Sequence, residues 1–377
     1  MWPPLFVYRN GRFVPLILLT LLLLGAITAC QNGTPPADII GTLVAPGPTP
    51  DSAATAWAAA TRAAQPTATP ATPPGASRAN PLAAGSLISI DNWDVQVVDV
   101  KRGDEAWQLI RQSNRLNDPP DPDREYLLVQ AWIKNKSQKK GNLWLDITGQ
   151  QNKLYKRYQA NVISPEPRLS TNLEANEEGL GWLVYTIYQG EGNLILRLED
   201  GLDFRAAAVY IALEEGARLQ RSPALDAISP TEWGKTAADP LILGQIATTQ
   251  HWQMQVKEIS LGQAAYDKLL ETNRFNDPPE PGMQYGLAYI WLRYMGPGEA
   301  AAYVSTYRFE TLDSSGTVYE RPSLVIPRPE LLGDLYAGGE IEGWLAIQIP
   351  ETETAPVLRL EMPNDEPRYL SLAGSGR

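Results

Sequence analysis

One cysteine and one histidine occur in 377 residues. No disulfide can form within the chain, so its folded parts must be held by their cores alone. A Ser-His-Asp or Cys-His relay would have to be built on His251, and zinc, which usually takes Cys and His ligands, lacks a donor set. Basic residues are also in the minority. With 32 Lys and Arg against 43 Asp and Glu, the formal charge is −11. A nucleic-acid partner is not expected, because it would require a basic stripe to displace counterions from phosphate. A Gly-rich phosphate loop of the Walker pattern is missing as well.

What is present begins with an apolar leader. Arg9 and Arg12 precede an almost unbroken apolar run from Phe13 to Ile27, which reads as a secretion signal over residues 1–29. The run stops at Ile27-Thr28-Ala29-Cys30, a stretch that resembles the lipobox of bacterial lipoproteins. That resemblance implies cleavage before Cys30, lipid attachment to it, and an extracytoplasmic chain anchored to the cell membrane or the outer membrane. Residues 30–79 are rich in Pro, Ala and Thr and hold too little apolar surface to offset the entropy of ordering; they are expected to form a disordered tether.

The remainder is an internal duplication. Residues 80–132 align without a gap on 239–291, and 15 of the 40 positions from Trp93 to Trp132 are identical to Trp252 to Trp291. "GWLVYTI" from Gly181 meets "GWLAIQI" from Gly343, and "LRLE" recurs from Leu196 and Leu358. The expected domains are 80–216 and 238–377, with a linker over 217–237. In each copy Trp93, Val95 and Val97, or Trp252, Met254 and Val256, alternate with polar residues as in a half-buried strand. The phase then slips, as a bulge requires. Tyr126 to Ile133 and Tyr285 to Leu292 are apolar on both faces and read as central strands. Between these strands the shared apolar positions Ala106, Trp107 and Ile110, matched by Ala265, Tyr266 and Leu269, follow a helical spacing. The expected fold is mainly β: two tandem immunoglobulin-like β-sandwich domains, each with a short helix inserted between its first two strands.

The leader, the tether, the W-x-V-x-V strands, the later G-W-L strand and the final L-x-L together resemble the telokin-like, immunoglobulin-related domains of unknown function found in bacterial lipoproteins and immunogenic secreted proteins. The resemblance implies a fold and a surface location, and no reaction. A duplicated small sandwich suits binding or spacing better than catalysis, so neither an enzyme nor a cofactor is expected. The expected role is a cell-surface interaction module, with the membrane and other envelope or extracellular proteins as partners.

The candidate site is a repeated loop, "NRLNDPP" from Asn114 and "NRFNDPP" from Asn273. Asn114, Asn117 and Asp118, with Asn273, Asn276 and Asp277, could offer oxygens to a small ligand or a hard cation such as calcium, although the spacing is not that of an EF-hand. The competing reading is structural. Asn tolerates the left-handed conformation that ends helices, and the prolines stop the helix and start the next strand. On that reading Leu116 and Phe275 pin the loop to the core. A receptor acting through this loop and a plain envelope spacer are the alternative functions. Trp93, Trp132 and Trp182 recur as Trp252, Trp291 and Trp344 at strand positions and are expected in the core, which leaves Trp107, aligned with Tyr266, as the exposed aromatic candidate.

Overall fold

The structure, a computed structural model, describes residues 72–203, 205–362 and 365–373. The leader, Cys30 and most of the expected tether lie outside the described residues. Among those described, no helix is long and apolar enough to cross a membrane.

Copy one runs β1 (Ile88–Ser89), β2 (Trp93–Arg102), α1 (Gly103–Ser113), β3 (Arg124–Asn135), β4 (Gly141–Thr148), β5 (Lys153–Lys156), β6 (Asn172–Leu173), β7 (Glu178–Tyr188), β8 (Ile195–Asp200) and β9 (Val209–Ala212). Copy two runs β10 (Ala247–Thr248), β11 (Trp252–Leu261), α2 (Gln263–Thr272), β12 (Met283–Tyr294), β13 (Ala302–Val304), β14 (Phe309–Leu312), β15 (Gly333–Leu335), β16 (Glu340–Pro350), β17 (Val357–Leu360) and β18 (Arg368–Ser371). One antiparallel sheet of copy one is ordered β1-β2-β3-β7, and the facing one runs β5-β4-β8-β9. The hairpin-linked β8 and β9 beside β4, opposite β2, β3 and β7, make the Greek-key arrangement of an immunoglobulin-like sandwich. Copy two repeats it with β10-β11-β12-β16 facing β14-β17-β18.

The alternation read in the sequence sets the packing. Trp93, Val95 and Val97 point into the core with Leu127, Val129, Leu145, Leu196 and Leu198; Trp252, Met254 and Val256 do so in copy two. Each fully buried Leu or Val contributes about 1.5–3 kcal/mol. The expected phase slips are register shifts at Val97/Asp99 and Val256/Glu258. The helix then lies on the outer face of the first sheet. Ala106 and Ile110 of α1 bury against Tyr126, Leu128 and Val184, and Ala265 and Leu269 of α2 against Tyr285, Leu287 and Trp344. The central strands are apolar on both faces because one face meets the other sheet and the second meets the helix.

This second apolar layer corrects the placing of the tryptophans. Trp93 and Trp252 are in the sandwich core, whereas Trp182 and Trp344 pack in the outer layer beside the helices. Trp107 joins that layer, 5.9 Å from the ring of Tyr126.

The end of the expected tether is folded, a second correction. Gly75, Ser77 and Arg78 are buried, and residues 75–82 cover the free edge of β9: Tyr210 N donates to Gly75 O, and Leu82 N to Tyr210 O. Residues 234–241 cover β18 in the same way, with Tyr369 N donating to Gly234 O and Leu241 N to Tyr369 O. Gly75 (φ +83°) and Gly234 (φ +68°) sit in the left-handed region, where a Cβ would come within 2.9 Å of Leu82 and 2.7 Å of Leu241. Covering the last strand in this way protects an edge that would otherwise invite another chain.

The two sandwiches are joined by a shared sheet. β15 pairs with β13 on one side and with β5 of copy one on the other, through Asp334↔Leu154 and Leu335↔Lys153. Tyr336 N donates to Asn152 O at 2.8 Å. The expected linker is ordered too: Ala217 and Leu219 bury against Ile195 and Tyr210, and Arg221 donates to the carbonyls of Met295 and Gly296.

Candidate functional site

Arg78 closes the joint between the copies. It is fully buried, donates from Nε to Glu299 at 2.9 Å and from Nη1 to Asn152 Oδ1 at 2.9 Å, and lies 3.7 Å over the ring of Tyr336. Nearby, Lys156 Nζ is 2.7 Å from Asp334, with both side chains largely buried. Asp146 on the same outward sheet face is 3.6 Å from Arg197, and burial pushes its carboxyl up to about 6 against the pull of Arg197 and Lys156. Burial likewise raises the Tyr336 phenol.

Beside this joint the two sandwiches enclose a cleft of about 670 Å³. Copy one supplies Asp121, Asp123, Arg124, Lys153 and Tyr188 from the ends of β3, β5 and β7; copy two supplies Arg328, Glu330 and Leu332 from the segment before β15, with Asp334 of β15 and Glu342 of β16. Tyr188 is held by two cations: Arg124 lies 3.4 Å over its ring, and Lys153 donates to its hydroxyl at 2.8 Å. Tyr155, also on the cleft lining, donates to the buried Glu191 at 2.6 Å; burial, with Glu191 beside it, raises its phenol. The cleft combines fixed charges of both signs, an aromatic ring and the apolar Leu332, the usual make-up of a site for a polar ligand with some apolar surface. A second depression of about 550 Å³ lies on copy two beside Glu310, Arg359 and Tyr307.

In copy one the repeated loop leads into Asp121 of the cleft, and in both copies its asparagines bond backbone at the helix end, as the structural reading expects, though by another geometry. Asn117 Nδ2 donates to the carbonyls of Ile110 and Ile163, and its Oδ1 accepts from Ile163 N at 2.8 Å. Asn276 does the same with Leu269 and Val325. These amides are spent on the protein's own backbone, stapling the helix end to a distant loop segment. Asn114 and Asn273 end their helices in extended conformations (φ −155° and −150°), not left-handed ones, and accept from Leu116 N and Phe275 N in side-chain turns. Asp118 and Asp277 are exposed. Among the described residues no group of three or more His, Cys, Asp or Glu converges as a metal cage would. Leu116 and Phe275, expected against the core, are 88% and 76% exposed. The staple presents them outward because it fixes the residue that follows each.

His251 sits just before β11, its Nδ1 3.8 Å from Asp365, which accepts from the backbone of residues 250 and 251. Sequence reasoning missed Arg78 and the whole cleft, since neither has a motif. The alignment did hold a signal for the start of the fold: "TPPGASRANPL" from Thr72 meets "TEWGKTAADPL" from Thr231 at Thr, Gly, Ala, Pro and Leu.

No family model matches the chain, and no curated protein does. Among solved structures it is similar to an uncharacterized β-sandwich protein from Clostridium difficile 630, at 11% identity and a TM-score of 0.23, over 36% of this chain and 95% of that one. The class defined by the fold itself is a tandem β-sandwich protein with a cleft at its joint.

Proposed function

We propose that this chain is an extracytoplasmic lipoprotein, held to a membrane through Cys30, that acts as a non-catalytic binding module for another envelope or extracellular molecule, with the cleft between its sandwiches as the binding site. The observation that carries the binding reading is the joint. The shared sheet and the buried Arg78 hold the two walls of the cleft together, so a ligand meets a preformed site and little ordering entropy is lost on binding. The leader, Cys30 and the likeness of the repeats to telokin-like lipoprotein domains support the anchor and the surface location. A rigid envelope spacer is the second reading, favoured by the same shared sheet.

In cells fed radioactive palmitate the wild-type chain is expected to take up label and a Cys30→Ser chain to lose it; label on the variant would sink the anchor. A photo-crosslinking residue at Leu332, 46% exposed on the cleft wall, is expected to trap a discrete species in intact cells. The same residue at Tyr307, 84% exposed and outside the cleft, should not. Equal labelling from both positions favours the spacer.

A further inference from the structure

Single exposed apolar side chains are ordinary on protein surfaces. Leu116 and Phe275 are different because they recur at one place in two copies that share only 15 of 40 aligned positions. The identity of the residue has changed while its apolar character and its exposure remain. Each tip also has a second apolar residue brought to it by the asparagine staple: Ile163, 41% exposed, beside residue 117, and Val325, 53% exposed, beside residue 276. Leu116 and Phe275 bury little, so nothing in the fold requires those two side chains to be apolar.

The two tips are linked through one contact across the joint. Asp121, five residues after Leu116, meets Arg328 at 3.5 Å, and Arg328 is three residues beyond Val325, which Asn276 grips next to Phe275. The cleft is lined by both Asp121 and Arg328 and so lies at this contact. Around this contact Asp118, Asp121, Asp123, Asp277, Glu280, Glu330 and the cleft's Glu342 stand against Arg115, Arg124, Lys153, Arg274 and Arg328; Asp121 and Asp123 are paired with Arg328 and Arg124, which leaves Asp118, Asp277, Glu280 and Glu330 as the exposed acids facing outward. The acidic excess repels an anionic bilayer and attracts a cationic partner.

We propose that the surface around this contact docks a basic, extended polypeptide segment, laid across the cleft with its cationic side chains over the exposed acids and its apolar side chains held at the Leu116 and Phe275 tips. The proposal rests on the binding reading above and names the partner's chemistry. Two spaced apolar anchors around a polar centre give both affinity and register.

The probe is a synthetic peptide of about twelve alternating Leu and Lys residues, roughly 40 Å when extended, titrated against the full chain in zwitterionic nanodiscs, with empty nanodiscs subtracted. Binding is expected, together with loss of binding when Lys is replaced by Glu in the peptide and weakening by about tenfold for the Leu116→Ser/Phe275→Ser chain. Because both tips are exposed, the double variant should melt as the wild type does. Equal affinity of variant and wild type would overturn the proposal. So would a variant that binds the peptide normally but no longer associates with phosphatidylcholine vesicles, which would make the tips lipid contacts. If Leu332 crosslinks a partner in cells while the peptide is ignored, the occupant named here fails and the binding reading stands; if neither occurs, both fail.

Discussion

The same ion pair occurs in both copies and meets two different fates. Asp146 and Arg197 of copy one align with Glu310 and Arg359 of copy two, on matching strands and facing outward from the same sheet. In copy one the other sandwich covers them: their side chains are 10% and 17% exposed, and the carboxyl is pushed up to about 6. In copy two nothing described covers them, and they are 42% and 32% exposed. The difference lies in what each copy brings to its joint. Arg78 corresponds to Ala237, Lys156 to Glu320 and, in the other direction, Asp334 to Asn172. A head-to-tail contact of this type could in principle add copy after copy. Here the free ends carry Ala237, Glu320 and Asn172 where the joint uses Arg78, Lys156 and Asp334.

Breaking the joint should have the largest effect. Arg78→Ala leaves Glu299 without its partner and removes the cover from Tyr336, and is expected to cost roughly 3–5 kcal/mol in denaturant unfolding and to separate the transitions of the two sandwiches. Ala237→Arg, at the exposed equivalent position, should stay within about 0.5 kcal/mol. A single unchanged transition for Arg78→Ala would refute the locking role. The asparagine staples come next, and there the copies should agree: Asn117→Ala and Asn276→Ala each leave backbone groups unpaired and should each cost about 1–3 kcal/mol. A cost in one copy only would mean that the loops are not equivalent.

The smallest effect depends on pH. Folding raises the Asp146 carboxyl from 3.8 to about 6, so the folded chain binds this proton more tightly than the unfolded chain does. The stability gained from it is fully present below about pH 4 and is lost as pH rises through about 6. Asp146→Asn is therefore expected to stabilise the chain by about 1–2 kcal/mol at pH 7.5 and to flatten that part of the pH-stability profile. Glu310→Gln, at the exposed equivalent pair, should do neither. Melting curves across this pH range in both variants make the comparison.

The strands, the bulges and the helix were legible because each depends on local periodicity, and the duplication allowed every reading to be made twice. Compositional bias hid the fold of residues 72–79: Pro and Ala around Gly75 read as tether, although the alignment with residues 231–238 was there to be extended. Leu116 and Phe275 read as buried because apolar residues usually are; their exposure follows from Asn117 and Asn276 bonding segments some fifty positions away, which no local pattern encodes. The loop asparagines were correctly seen as polar groups with work to do, but whether that work was a ligand's or the backbone's depended on what lay opposite.

The order of apolar and polar residues along the chain by itself determined two mainly β domains of one design, each carrying a helix after its first long strand, because side-chain period and burial are coupled within a few residues. Only the tertiary structure decided that the copies share a sheet, that Arg78 is buried between them, and that a charged cleft opens beside it. Those features arise where segments more than a hundred residues apart meet, and the charge, burial and pairing of each side chain there are set by its neighbours in space.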